Sequence, residues 1–288
     1  KLLGSAKGKL FAVRAKRGRP HLDDKVLTSW NGLMLGALAR ASAVLGDEEY
    51  LAAAEKNLVF LQGKLWDAPT KTLYHRWRDG QRDSVQLHED YACLLGGVIE
   101  LYQMTLDDRQ LQFALDLAEA MLAKFYDAQS GGFWQSTAGA KDLILRVKDD
   151  YDGAEPSANS VAIMCLLKLA AITERKDFRD AADKSLLLFS ERLQRMPQAV
   201  PYMLLALDYM LEEPMRVVLA GDPKSVTGKI LLRAAHEVYQ PNKVVLVNSG
   251  PVEPFAKTLP DADGQPTVYL CTGTVCHPPT SDPEKVKE

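Results

Sequence analysis

Three short stretches of the chain contain side chains that could transfer protons or bind a polar ligand. They are "LDDKVLTSWN" at 22–31, "HEDYA" at 88–92 and "YDGAEPSANS" at 151–160. Each stretch leads into an apolar run that is typical of a buried helix. Carboxylates that meet in a half-buried cleft acquire different pKa values, so one can act as an acid and another as a base near neutral pH. We therefore predict that the three stretches line one site.

The residue types in these stretches suggest two roles. The candidate proton-transfer residues are Asp24, His88, Glu89, Asp90 and Glu155. The candidate substrate-binding residues are Trp30, Asn31, Tyr91, Trp134, Asp152, Ser157 and Asn159. An aromatic ring can stack on the apolar face of a sugar while amides and carboxylates bind its hydroxyls. The set favours carbohydrate chemistry, catalysed by a sugar epimerase, an isomerase or a glycoside hydrolase.

Several of these residues also have a simpler explanation. Asp90 and Ser157 stand where a helix N-cap is expected, and capping alone explains one Asp or Ser at a helix start. His75 and His88 are either proton-transfer groups or packing residues. Capping does not explain why His, Glu and Tyr surround Asp90 in "HEDYA". Both predictions, a functional site and helix N-caps, therefore remain open.

The elements that must position these residues are pairs of helices. The first helix of each pair, as in "NGLMLGALARASAVLG", is apolar on nearly all sides, and the second keeps a single apolar stripe. The entry points Trp30, Tyr91 and Ser160 lie about 60 to 70 residues apart, as in a repeated unit. A ring of inner helices wrapped by outer helices requires this alternation. The sequence predicts a mainly α fold, a partial (α/α)6-type toroid of about three and a half helical hairpins.

Two long connections and the end of the chain break the helical pattern. Residues 66–89 and 127–158 mix aromatic and β-prone residues with the turn signals Asp79-Gly80 and Gly131-Gly132, which predicts short β-hairpins. After Pro214 the pattern reads strand, helix, strand, with a further strand at "TVYLC". We predict two domains, a helical-hairpin toroid at 1–213 and a small α/β module at 214–288.

The sequence predicts no cofactor and no metal. In "GDPKSVTGKI" six residues instead of four separate Gly221 from Gly228, and Ile stands where a P-loop has Ser or Thr. "CTGTVCH" has the wrong spacing for haem attachment, and no further zinc ligands lie nearby in the sequence. Cys271 and Cys276 are therefore redox candidates or two independent thiols.

Charge and hydropathy limit the classes of partner. A formal net charge of −3 gives no general attraction to nucleic acid or to an anionic membrane. The apolar runs are shorter than the roughly 20 residues that span a bilayer. The expected partner is a small-molecule carbohydrate, with no nucleic acid and no membrane. Four cysteines and no secretory signal favour a reducing, cytoplasmic compartment.

Four motifs carry a family resemblance. "RAKRGRPHLDDKVLTSWNGLMLGALARA", "HEDYA", "DGAEPSANSVA" and "PTVYLCTGTVC" together resemble the thioredoxin-domain-containing family that includes spermatogenesis-associated protein 20. The resemblance implies a thioredoxin-like domain followed by an (α/α)6 toroid similar to N-acylglucosamine 2-epimerases and six-hairpin glycosidases. The thioredoxin-like domain and the first hairpins of the toroid have no counterpart in this sequence.

The resemblance leaves two functions open. One is a carbohydrate-active or sugar-binding toroid, and the other is a noncatalytic scaffold or redox-associated module that works with the thioredoxin-like domain. An open arc of hairpins exposes apolar flanks, and such patches usually contact another surface. We expect the N-terminal part of the toroid or a partner subunit to cover them.

Overall fold

The computed structural model describes residues 1–139, 144–262, 264–273 and 275–287. The helices are α1 (Leu2–Arg14), α2 (Thr28–Leu45), α3 (Glu48–Leu65), α4 (His88–Thr105), α5 (Asp108–Phe125), α6 (Ala158–Thr173), α7 (Lys176–Leu188), α8 (Ser190–Arg195), α9 (Pro201–Leu211), α10 (Val226–Glu237) and α11 (Pro283–Lys287). Within the described ranges, no helix combines the length and the apolar character that crossing a membrane requires.

The helices form an inner and an outer layer. Helices α2, α4, α6 and α9 pack side by side in that order, and α3, α5 and α7 each pack on the outside of the inner helix that precedes them. Helices α4 and α6 are buried along most of their length, because they contact neighbours on several sides. Helix α5 keeps an exposed polar face. The predicted fold, a partial α/α toroid of about three and a half hairpins, is confirmed.

The turn between the two helices of a hairpin follows one pattern in all three hairpins. Each inner helix ends on a residue in the left-handed region, namely Gly46 (φ 68°), Leu106 (φ 53°) or Glu174 (φ 60°). This conformation ends a helix and releases the chain for the next one. Asp47 and Asp107 then accept hydrogen bonds from N–H groups at the start of α3 and α5. The shared pattern explains the repeat seen in the sequence.

Inner helices α2 and α4 approach each other closely at glycines. A Cβ atom placed on Gly97 would lie 2.3 Å from the carbonyl oxygen of Gly32, and one placed on Gly32 would lie 2.6 Å from the backbone nitrogen of Leu94. Only residues without a side chain fit between these two backbones. The glycines therefore set the spacing of the inner layer.

Short strands fill the connections between hairpins. They are β1 (Val26–Leu27), β2 (Trp66–Asp67), β3 (Thr72–Leu73), β4 (Arg76–Arg78) and β5 (Gln81–Arg82). Strands β4 and β5 form the predicted hairpin at Asp79-Gly80, where both residues have positive φ. Strand β1 pairs with β4 and places the start of α2 beside this hairpin. In the described part of the second connection, isolated bridges replace a hairpin, and residues 140–143 lie outside the described ranges.

The C-terminal segment contains a small mixed sheet. Its strands are β6 (Met215–Ala220), β7 (Lys243–Val247), β8 (Thr267–Thr272) and β9 (Val275–Cys276), in the order β7-β6-β8-β9. Strands β6 and β7 are parallel and joined through α10, as the strand, helix, strand pattern predicted.

The sheet packs against the ends of the inner helices. The Gln103 side chain accepts a hydrogen bond from the N–H of Val245, and His236 on α10 bonds to the carbonyl of Gln103. One continuous set of buried apolar residues extends from the toroid into the sheet. The division into domains at residues 213 and 214 stays a prediction.

Candidate functional site

The N-terminal ends of the inner helices α2, α4 and α6 meet at one face of the toroid. The Ser29 N–H at the start of α2 donates to Asp90 Oδ1 at the start of α4, over 3.0 Å. Asn159 at the start of α6 accepts a hydrogen bond from the Phe133 N–H, over 2.7 Å. The ring of Phe133 in turn stacks on His88, with ring centroids 4.8 Å apart. Hydrogen bonds and stacking therefore join the three helix entrances.

A cavity of about 220 Å³ opens at this face, and we call it the mouth cavity. Its lining residues are Ser29, His88, Glu89, Cys93, Gln135, Asp149, Tyr151, Gly153, Ala154, Glu155, Pro156, Ser157, Ala158 and Asn159. Three of them, Glu89, Asp149 and Glu155, carry carboxylates. The cavity is therefore polar, acidic and large enough for a small ligand.

A histidine and two carboxylates form a cluster beside the mouth cavity. His75 Nδ1 lies 3.0 Å from Asp90 Oδ2 and 3.9 Å from Glu89 Oε1. Asp90 is fully buried, while His75 and Glu89 are partly exposed. Within the described ranges His75 Nε2 has no protein hydrogen bond, so the outer ring nitrogen is free to exchange a proton. A histidine oriented by a buried carboxylate is a common arrangement for proton transfer.

The environment changes the pKa of each group in this cluster. The hydrogen bond that the His75 ring donates to Asp90 raises the pKa of His75 above 6.5, although partial burial opposes the change. Burial raises the pKa of Glu89, and the charge of Asp90 adds to this effect. Burial also raises the pKa of Asp90, while His75 and the Ser29 N–H oppose it. The pKa values of the imidazole and of both carboxyl groups are therefore raised above their ordinary values.

The same three residues are the candidate ligands for a divalent cation. One nitrogen of His75 and one oxygen each of Glu89 and Asp90 all lie within 4.8 Å of one another. This ligand set suits zinc or a similar ion. A cation bound there would replace the proton that His75 and Asp90 share, so the two uses of the cluster exclude each other.

The structure brings several of the predicted residues to the mouth. Glu89, Glu155, Ser157 and Asn159 line the mouth cavity, and Asp90 lies directly behind it. Ser157 caps α6 by accepting a hydrogen bond from the Ser160 N–H, as capping predicted. The side-chain amide of Asn159 bonds to backbone groups of Phe133 and Asp149, so it holds the wall of the cavity. Asp90 does not cap α4, since it accepts from α2 instead.

His88 is buried in the wall of the mouth cavity. Its side chain is 1% exposed and stacks on Phe133, and neither ring nitrogen has a partner in the described part of the chain. Burial lowers the pKa of His88 to about 3, so the ring is neutral near pH 7. The structure therefore gives His88 a packing position and His75 the position suited to proton transfer.

Other predicted residues lie away from the cavity. Asp24 is half exposed and pairs with Arg78, with 2.9 Å between Oδ1 and Nε. Trp30 is 62% exposed. Asn31 bonds through its side chain to the carbonyl of Leu27 within its own segment. The structure does not place these three residues among those that line the mouth.

Tyr91, Trp134 and Asp152 have contacts that support the scaffold. The Tyr91 hydroxyl accepts a hydrogen bond from the Leu73 N–H on the side of the hairpin strands, over 2.7 Å. Trp134 lies beneath the cations of Arg146 and Lys148. Asp152 accepts backbone hydrogen bonds from the start of α6 and of α9. Their contacts orient loops around the site.

Several residues at the site, including His75, Asp149 and Tyr151, were not among the predicted site residues. His75 was considered together with His88, either as a proton-transfer group or as a packing residue, and its contact with Asp90 depends on the segment before β4 lying beside the start of α4. Tyr151 lines the mouth cavity and is 59% exposed, so it offers an accessible aromatic surface there. The signal for Tyr151 was present in "YDGAEPSANS", where it directly precedes the acidic turn.

The two redox candidates are joined to each other. Cys271 on β8 and Cys276 on β9 occupy paired positions of the sheet and form a disulfide. The interpretation as two independent thiols is therefore wrong for this structure, because the β8–β9 pairing brings the sulfurs together. Cys93 and Cys165 are free and buried.

The fold of this chain is similar to that of a known protein. A cellobiose 2-epimerase from Bacillus thermoamylovorans superposes with a TM-score of 0.51 at 17% identity, covering 61% of this chain and 47% of that one. At this identity the likeness concerns the fold alone. No protein-family model matches the chain.

Sequence relatives match the whole chain. Human spermatogenesis-associated protein 20 is 36% identical over 304 residues, which covers 100% of this chain and 38% of that protein. The rat protein of the same name is 35% identical over 303 residues with the same coverage. The chain thus spans 38% of the length of these relatives. The chain is therefore homologous over its whole length to a part of spermatogenesis-associated protein 20.

Proposed function

We propose that this chain is a carbohydrate-active toroid whose mouth transfers protons on a bound sugar, as a sugar epimerase or isomerase does. The observation that carries the proposal is the cluster of His75, Asp90 and Glu89 beside a cavity lined by further carboxylates. The toroid fold shared with a cellobiose 2-epimerase adds support.

The cluster suits a reaction that removes a proton from a sugar carbon next to a carbonyl and returns one. Such a reaction needs one group that accepts a proton and another that donates one near neutral pH. His75 held by Asp90 is the candidate base, and Glu89, whose pKa is raised by burial, is the candidate acid. Tyr151 provides an aromatic face for the sugar ring, and Glu155 provides an acceptor for its hydroxyls.

A glycoside hydrolase is a variant of the same proposal. Hydrolysis requires two carboxyl groups that flank the scissile bond, and Glu89 and Glu155 both line the mouth cavity. The imidazole of His75 favours the epimerase, because most glycosidases use carboxyl groups for both roles. The two reactions are distinguished by their products, an isomeric sugar or a new reducing end.

The second candidate function is a redox-associated scaffold. The Cys271–Cys276 disulfide supports it, since a bonded pair can exchange with a thiol-bearing domain. In this function the toroid holds a partner and the mouth has no turnover. The first function depends on the carboxylates of the mouth cavity, and the second depends on the two cysteines.

A further proposal concerns the open flank of the toroid. Trp30 and Met34 on α2 are both more than half exposed. We propose that a further helical hairpin or a partner subunit covers this face. The proposal is supported by the relatives' greater length, of which the chain covers 38%.

Saccharide binding tests the proposed function. We expect saturation-transfer NMR on the protein at its natural length to detect binding of at least one of glucose, mannose, N-acetylglucosamine and cellobiose. Glu155→Gln should weaken this binding about tenfold, because a charge-assisted hydrogen bond to a sugar hydroxyl is lost. Glu55→Gln, an exposed position on the outer helix α3, is the matched control and should leave binding unchanged. A folded protein that binds none of the sugars would favour the redox-associated scaffold.

A further inference from the structure

Three charged side chains form a cluster on the inner helices, away from the mouth. Arg40 on α2, Glu100 on α4 and Lys168 on α6 each lie about three turns along their helix. Glu100 Oε1 lies 2.9 Å from Arg40 Nη2 and 2.8 Å from Lys168 Nζ. Three successive inner helices therefore contribute one charged group each at a similar depth. We call this set the floor cluster.

The floor cluster contains one more positive charge than negative charge. Two cations share a single carboxylate oxygen, and no other acidic side chain of the described residues lies within 4.0 Å of either cation. Burial alone would raise the pKa of Glu100, but Lys168 and Arg40 together lower it to about 2, so this carboxyl group stays charged near pH 7.

The donors of the floor cluster are only partly used. An ammonium group has three N–H donors. Among the described residues, Lys168 donates one hydrogen bond to a protein acceptor, Glu100. Its side chain is 15% exposed, whereas Arg40 is 64% exposed. A largely buried ammonium with free donors is costly unless an anion or water compensates it.

The floor cluster lines a second cavity that lies between the inner helices. This lumen cavity has a volume of about 530 Å³, and its walls are made largely of small or apolar residues. Its charged lining residues, among those the structure describes, are Arg40, Glu100 and Lys168. The positive charge is therefore exposed to the interior of a cavity with few other polar groups.

The lumen cavity adjoins the mouth cavity. Cys93 and Pro156 line both. Glu89 and Glu100 lie eleven residues apart on α4, which corresponds to about 16 Å along the helix axis. This distance is longer than one sugar ring, so a ligand that contacts both Glu89 and the floor cluster must contain more than one sugar unit.

We propose that Arg40 and Lys168 bind the anionic group of an acidic sugar, either a carboxylate or a phosphate, that enters through the mouth. One added negative charge balances the floor cluster and uses the free donors of both cations. The geometry of Arg40 and Lys168 suits either anion, so uronates and sugar phosphates are the two sources to be distinguished. This inference rests on the proposed function, since it specifies the substrate class of the same site.

The test compares charged and neutral probes on the protein at its natural length. We expect glucuronate or glucose 6-phosphate to bind at least about tenfold more tightly than glucose, measured by calorimetry or ligand-detected NMR. Lys168→Met should remove this preference, and Lys168→Arg should retain it. Lys56→Met on the exposed face of α3 makes the same charge change outside the cavity and should have no effect. The stronger of the two acidic probes identifies the anion.

The outcomes separate this inference from the proposed function. Equal binding of glucose and both acidic probes overturns the anion site and leaves the sugar site in place. A Lys168→Met variant that is folded by circular dichroism but weakens glucose and glucuronate equally also overturns it, because the lysine then only connects the inner helices. If no saccharide binds at all, both proposals fail.

Discussion

Replacing Gly97 by alanine should cost the protein about 3 kcal/mol of unfolding free energy. The new methyl group would lie 2.3 Å from the Gly32 carbonyl oxygen and 3.1 Å from Leu35 Cβ. Both neighbours belong to α2, so relief requires the two inner helices to move apart. Such a movement would loosen contacts along the whole α2–α4 interface. Urea unfolding followed by circular dichroism measures the effect.

Two other glycines provide matched controls for this prediction. A Cβ atom on Gly36 would lie 3.4 Å from the nearest heavy atom, which is ordinary van der Waals contact, and one on Gly63 would meet nothing within 4 Å. Gly36→Ala should therefore change stability little. Gly63→Ala should stabilise by about 0.5 kcal/mol, because alanine is the better helix former. Equal stability for all three alanine variants would contradict the close packing of α2 on α4.

Replacing Asp90 should affect both stability and the titration of His75. We expect Asp90→Ala to lower the unfolding free energy by about 3 kcal/mol, since the buried Ser29 N–H and the His75 ring lose their shared acceptor. Asp90→Asn should cost less, because the amide oxygen can still accept from Ser29. Urea unfolding near neutral pH measures both changes.

The pH dependence of stability reports on the same pair. The pKa of His75 is raised above 6.5 in the folded state, so its contribution to stability is fully present below pH 6.5 and is lost as the pH rises through the folded-state pKa. In Asp90→Asn the NMR titration of His75 should move back toward 6.5, and this part of the pH dependence should disappear. An unchanged His75 titration in Asp90→Asn would show that the carboxylate does not hold the proton.

Local patterns in the sequence predict the architecture well. The alternation between "NGLMLGALARASAVLG" and the one-sided helix after it reflects burial on many sides or on one, and this determines the inner and outer layers. The turn signal at Asp79-Gly80 predicts the β4–β5 hairpin because positive φ at both residues favours such a pair. These features depend on neighbours in the chain, so a single sequence contains them.

The composition of the site depends on contacts that local patterns do not specify. His75 meets Asp90 only because the segment before β4 lies beside the start of α4, and the sequence does not reveal that Trp30 is exposed. Similarly, the register of β8 and β9 brings Cys271 and Cys276 together. The spacing of these two cysteines in the sequence matches no common motif. The predicted entrances do meet at one face, but tertiary contacts decide which of their side chains point into the cavity.

Hydrogen exchange at a sugar carbon tests the central proposal most directly. The protein at its natural length is incubated in D2O with glucose, mannose, cellobiose, glucuronate and glucose 6-phosphate. Proton NMR follows the signal of the proton on the carbon next to the carbonyl. A proton removed by a side chain exchanges with solvent before it is returned. We expect one of these sugars to lose this signal while its epimer or isomer accumulates, and we expect Glu89→Gln and His75→Gln each to slow the exchange about a hundredfold or more. Glu55→Gln should exchange at the unaltered rate. If the folded protein exchanges no sugar proton and forms no product from any of the five, the mouth is not an epimerase or isomerase site.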